Sequence, residues 1–191
     1  MRSPDVLNRD DSRLLMIDMQ ERLLAVIPDA ERIIQNCVLL VRGAQHLGVP
    51  TCGTEQYPRG LGATVEPLRT LLGELPEKLR FSSASCLDWS KAAGSEDRPM
   101  IVIAGIETHV CVQQTVLDLL AAGFSVYVVA DAVASRSHLD RDIAFQRMRD
   151  SGAIVTTVEA VLFEWCEAAG TPEFKEISRL VKERGPATVS P

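Results

Sequence analysis

Five short apolar runs and a weaker sixth recur along the chain, and segments with helical spacing separate them. The runs are residues 14–17, 49–53, 100–104, 124–130 and 153–157, with the weaker one at 77–81. They are mostly continuous rather than alternating, as expected of parallel strands buried on both faces. Between the first two, residues 30–47 repeat apolar side chains at helical intervals (Ile33, Ile34, Cys37, Val38, Leu40, Val41, Ala44), and Gly48 ends the pattern. Residues 108–122 do the same with Val112, Val116, Leu119 and Leu120. Further helices are expected at 64–72, 140–151, 158–165 and 172–183. Residues 21–27 and 54–62 read as turns or loops, and 85–98 as a poorly periodic helix or loop. Strands alternating with helices predict one parallel sheet covered on both faces. Residues 1–12 read as a flexible lead-in, 13–184 as a single domain and 185–191 as a flexible tail.

Ligands in such folds sit beyond the carboxyl ends of the strands. Three chemically useful residues fall there: Asp18 after the first run, Lys78 in the third and Cys111 after the fourth. The stretch around Cys111 (residues 100–131, MIVIAGIETHVCVQQTVLDLLAAGFSVYVVAD) packs a strand, a glycine turn, a helix and a second strand together. A cysteine in the first turn of a helix is expected to have a lowered pKa and to be a usable nucleophile; taken singly it also reads as a buried packing cysteine. His109 is two residues away, so its side chain leaves on another face and it is a poor base for that thiol. Asp18, at the end of a buried strand, is the better base, with a pKa expected to rise. It reads equally well as a cap or a partner for a buried arginine. Lys78 beside an acid and a thiol favours both ionised forms; taken singly it is an ordinary surface lysine. Asp131 is expected to end the fifth strand and brace the Cys111 turn. The GLGAT segment lacks a phosphate-loop lysine, and no G-x-G-x-x-G follows the first strand, so no nucleotide cofactor is indicated.

Composition narrows the partners. The 191 residues carry a formal net charge of −6, which argues against a nucleic-acid backbone as ligand. No apolar run approaches the ~18 residues of a membrane span. The polar start MRSPDVLNRDDSR does not read as a signal peptide. Five cysteines (37, 52, 86, 111, 166), with no C-x-x-C pairing, fit reduced thiols in a cytoplasmic protein.

The segments LLMIDMQ (14–20), TEQYPRGLGATV (54–65), KLRFS (78–82), IVIAGIETHVCVQQTVLDLLAAGFSVYVVADAVASRS (101–137) and DRDIAFQRMRDSGAIVTTVEAVLFE (140–164) resemble, in order, the isochorismatase-like cysteine hydrolase superfamily. The likeness is strongest to its isochorismatase-domain-containing subgroup. It implies an α/β, three-layer α/β/α, Rossmann-like fold with a six-stranded parallel sheet. It also implies a catalytic triad on Asp18, Lys78 and Cys111, cleaving an amide, ureido or imide C–N bond through a thioester. A non-proline cis peptide is implied between Ile106 and Glu107, with the N–H groups of Glu107 and Cys111 forming an oxyanion hole. Met19, Gln20, Gln56, Tyr57, Phe81 and His109 are the expected lining of a pocket for a small-molecule substrate. Nicotinamidases of the superfamily bind a metal through Asp-x-His after the second strand. GTEQYPRG holds no histidine, so neither a metal nor another cofactor is expected. Isochorismatases proper often lack the cysteine that this chain keeps. The resemblance also implies a homo-oligomer, with the VLFEW helix at 158–165 as a contact. A non-catalytic binding or scaffold protein and a metal-dependent amidase are the alternatives.

Overall fold

The computed structural model describes residues 2–85 and 98–184. The expectations for residues 86–97, for Cys86 within them and for the tail at 185–191 lie outside the described residues.

Six parallel strands form one sheet: β1 (Ser12–Ile17), β2 (Thr51–Gln56), β3 (Glu77–Lys78), β4 (Met100–Ile106), β5 (Ser125–Ala134) and β6 (Ile154–Thr156), in the order β3-β2-β1-β4-β5-β6. Alternate residues of the central strands feed two separate cores. On one face, Leu14 and Met16 of β1, Val102 and Ala104 of β4, and Tyr127 and Val129 of β5 pack with the helices α2 (Ala30–His46), α7 (Val158–Cys166) and α8 (Pro172–Glu183). On the other, Leu15, Ile17, Ile101, Ile103, Val126 and Val128 meet α5 (Gln113–Ala121) and α6 (His138–Asp150). The short helical turns α1 (Glu21–Leu24), α3 (Pro58–Leu61) and α4 (Leu68–Leu72) occupy the connections around β2. The three-layer α/β/α architecture is therefore present, with all of β1 buried.

Four features of the fold differ from the pattern reading in ways that bear on the site or its surroundings. β2 starts later and runs on through the polar Thr54, Glu55 and Gln56, because its last two residues pair with β3. β5 does not end at Asp131. An irregularity in β4 between Ile103 and Gly105 lets β5 pair again at Val133 and Ala134. The lead-in is docked: Leu7 is fully buried, its N–H donates to Glu164 Oε2 at 2.8 Å, and Tyr127 Oη donates to the carbonyl of Asp5. The VLFEW helix turns its apolar side inward, with Val161, Leu162 and Trp165 buried in the core. It is not the free apolar face expected of a contact between copies; of its large apolar side chains Phe163 alone is exposed, at 37%.

Candidate active site

The strand order reverses between β1 and β4: these parallel neighbours send their following connections toward opposite edges of the sheet. Such a switch point opens a crevice at the carboxyl ends of the two strands. Asp18 follows β1 directly and the Cys111 turn follows β4. Asp18 is fully buried and holds a left-handed backbone conformation, φ +51°. Aspartate tolerates this region better than most side chains. Its N–H donates to the carbonyl of Thr54 at 3.1 Å, and its own carbonyl accepts from Gln20 N–H at 2.7 Å. The backbone thus turns the carboxylate off the strand axis and into the crevice.

Lys78 meets it from β3. The ammonium donates to Asp18 Oδ2 at 2.7 Å, to Gln56 Oε1 at 2.7 Å and to the carbonyl of Phe81 at 2.8 Å. Both members of this ion pair are buried. The remaining carboxylate oxygen, Oδ1, accepts from the Thr54 hydroxyl at 2.8 Å. Burial raises the pKa of Asp18, and the charge and hydrogen bond of Lys78 oppose that rise.

The third group is the Cys111 thiol, buried and within electrostatic reach of both Asp18 and Lys78. The residue lies within a π-helical turn, Thr108–Val112, that leads into α5. Such turns are rare and are found often at functional sites. The peptide bond entering the turn, Ile106–Glu107, is cis. The thiol does not have the lowered pKa expected from a helix N-terminus. Burial first, then the charge of Asp18, push it up to about 12, with Lys78 acting in the opposite direction. The thiol is therefore the resting form of Cys111 near neutral pH. Among the described residues, no group of three His, Cys, Asp or Glu side chains is placed to hold a metal ion.

A family model for the isochorismatase domain matches residues 12–160, which hold both Asp18 and Cys111. The chain belongs to the isochorismatase family. It is 43% identical over 172 residues to isochorismatase domain-containing protein 1 of Salmo salar, covering 88% of this chain and 60% of that protein. The chain thus spans about three fifths of the length of that relative. Among solved structures, the MAR1 ribonuclease of Caenorhabditis elegans superposes with a TM-score of 0.86 at 38% identity, over 97% of each chain. YcaC of Pseudomonas aeruginosa, solved with hexane-2,5-diol and covalent acrylamide, gives 0.81 at 25% identity over 97% of this chain and all of that one (100%).

Within this isochorismatase-family chain, the six expected pocket residues divide by role. Gln56 is a support: its Oε1 holds the Lys78 ammonium and its Nε2 donates to the carbonyl of Leu79 at 2.9 Å. Gln20 is fully buried and ties two loops together, donating to the carbonyls of Gln56 and Gly62 and accepting from Gln56 N–H. Met19 packs into the larger core. Tyr57 and Phe81 are half-exposed on either side of Lys78 in sequence, so they alone of the six present large aromatic surface to solvent. His109 points to α6, with Nδ1 3.0 Å from Ser135 Oγ and Nε2 3.9 Å from Asp140 Oδ2. The buried carboxylate of Glu107 accepts from Arg136 N–H at 3.2 Å and faces the Arg136 guanidinium at 3.7 Å. Asp131 does not brace the Cys111 turn. It accepts from Val158 N–H at the start of α7 and pairs with Arg184 at 3.1 Å.

Three residues of the site went unread in sequence: Thr54, Ser83 and Thr115. All are buried hydroxyls. Thr115 was legible in principle, because it lies one helical turn beyond Cys111 and its hydroxyl donates to the Cys111 carbonyl at 2.6 Å. Thr54 and Ser83 sit in a polar strand end and a serine-rich turn, where hydroxyls carry no distinctive spacing.

Proposed function

We propose that this chain is a cysteine hydrolase that cleaves a C–N bond of a small amide, ureido or imide compound, using Asp18, Lys78 and Cys111. One observation carries the reading: a buried carboxylate paired with a lysine ammonium at 2.7 Å, with a buried cysteine thiol close enough for both charges to act on it. Cys111 Sγ attacks the substrate carbonyl as its proton passes to Asp18. The carbonyl π electrons move to oxygen, and the N–H groups of Glu107 and Cys111 receive the oxyanion. Collapse breaks the C–N bond, and the proton on Asp18 leaves with the nitrogen. The thioester is then hydrolysed by water, with Asp18 again as base, which frees the acid and restores the thiol. Lys78 holds Asp18 in place and offsets the cost of its buried charge. The YcaC structure holds covalent acrylamide, an alkene electrophile, which fits the presence of a reactive nucleophile in that relative.

The test is a panel of amides, ureido acids and imides assayed with the wild type and with Cys111→Ala. The expected result is turnover that falls at least ~10³-fold in the variant, with a thioester adduct on Cys111 seen by mass spectrometry. Turnover unchanged in Cys111→Ala overturns the reading. Because burial raises the Asp18 pKa, the acid limb of kcat/KM is expected above the usual carboxylate range of about 3.9.

RNA cleavage, named for the Caenorhabditis elegans neighbour, is the alternative. The net charge of −6 disfavours binding to a phosphate backbone. Assaying the same two proteins on RNA separates the readings. Self-association belongs to the proposal as well, and light scattering is expected to give a mass above the 20.9 kDa of one chain.

A further inference from the structure

We propose that Thr54, held by Ser83, is the positioning residue that fixes the ionised Asp18 carboxylate, and that the same serine locks the Cys111 turn through Thr115. The inference rests on the cysteine-hydrolase reading above and adds to it a relay of hydroxyl groups.

The direction of each hydrogen bond follows from what each atom is able to do. An ionised carboxylate only accepts, so the Thr54 proton points to Asp18 Oδ1, 2.8 Å away. Thr54 Oγ1 therefore accepts from Ser83 Oγ, 3.0 Å away. The Ser83 N–H donates to Thr115 Oγ1 at 2.9 Å, and Thr115 passes its own proton to the Cys111 carbonyl at 2.6 Å. Ser83 thus donates into two arms, one ending on the base and the other on the backbone of the nucleophile. All three hydroxyl residues are buried, so competing water is excluded from the relay.

Two donors, Lys78 Nζ on Oδ2 and Thr54 Oγ1 on Oδ1, pin both oxygens of Asp18. The titratable groups facing it are Lys78 from β3 and Cys111 from the π-helical turn. Of the two donors on Asp18, Thr54 is the neutral one, and its loss leaves the charges of the site unchanged. The Thr54 hydroxyl favours the ionised carboxylate, and its removal favours the protonated one.

The experiment follows the alkylation of Cys111 by iodoacetamide against pH, which needs no substrate. Sulfur forms a bond to the methylene carbon, iodide departs and the thiol proton goes to Asp18. In the wild type, the rate is expected to fall on the acid side as Asp18 is protonated. Thr54→Val is expected to move that limb up by about one pH unit, and Thr54→Ser to return it. Ser83→Ala is expected to move it in the same direction by less, and it serves if Thr54→Val does not fold. A limb that stays in place in folded Thr54→Val, or in Ser83→Ala where Thr54→Val does not fold, overturns this inference alone. A wild-type profile with no acid limb, identical to that of Asp18→Asn, overturns the hydrolase reading beneath it.

Discussion

Lys78→Met is expected to cost about 3–5 kcal/mol of folding stability at pH 7. Methionine fills nearly the same volume, so the loss is electrostatic rather than steric. The ammonium satisfies Asp18 Oδ2, Gln56 Oε1 and the Phe81 carbonyl, all within 2.8 Å. Without it, a fully buried carboxylate is left with the Thr54 hydroxyl, 2.8 Å away, as donor. The sign of the pH dependence follows. Burial already raises the folded-state pKa of Asp18, and removing Lys78 takes away the largest opposing influence. The folded state then binds the Asp18 proton more tightly than the unfolded state does. Its stability is fully present below the unfolded value of about 3.9 and is lost as pH rises through the higher folded value. Urea unfolding is expected to show a smaller deficit at pH 5 than at pH 7. The double variant Asp18→Asn, Lys78→Met is expected to recover part of the loss, since the unpaired charge is gone. A Lys78→Met variant within 0.5 kcal/mol of wild type, roughly the scatter of surface substitutions, would sink the claim that this pair is held by mutual compensation.

The same electrostatics explain which parts of the site were legible in sequence. Asp18 stood out because an acid directly after LLMI has no ordinary reason to be there. Cys111 stood out through its place after a glycine turn, and Lys78 only through the company of the other two. The pattern of apolar runs carried the sheet because β1 and β4 are buried along almost their whole length. Periodicity failed where polar side chains extend a strand. Thr54 and Gln56 look like loop residues, yet they complete β2 and hold the two charged partners in place. It failed again at Asp131, where an acid looked like a strand end but accepts the Val158 N–H at the start of α7 from inside a longer β5. The raised thiol pKa was hidden for a different reason. Proximity to a helix start is visible in one dimension, whereas burial beside a carboxylate from another strand is not.

Gly105→Ala is expected to destabilise the fold by about 4 kcal/mol or more, with little soluble protein recovered. Gly105 pairs with Ile17 across β4 and β1, and its φ is +119°. A Cβ there would lie 2.1 Å from the Ile17 carbonyl oxygen and 2.6 Å from its nitrogen, and neither backbone atom has room to yield. Gly48→Ala separates conformational cost from collision. Gly48 also has a positive φ, +72°, but a Cβ on it meets nothing within 4 Å. Its alanine variant is expected to lose only about 1 kcal/mol, the cost of the backbone conformation. The excess in Gly105→Ala therefore reports the contact with Ile17. Equal losses in the two variants, measured by urea unfolding, would show that the close approach of β1 and β4 carries no weight. The consequence reaches the chemistry, because Ile17 is the residue before Asp18 and Gly105 lies just ahead of the turn that carries Cys111. Any molecules of Gly105→Ala that do fold are expected to have the two strands pushed apart next to Asp18 and the Cys111 turn. Their iodoacetamide labelling at Cys111 is expected to lose its dependence on Asp18, even where the rest of the sheet is intact.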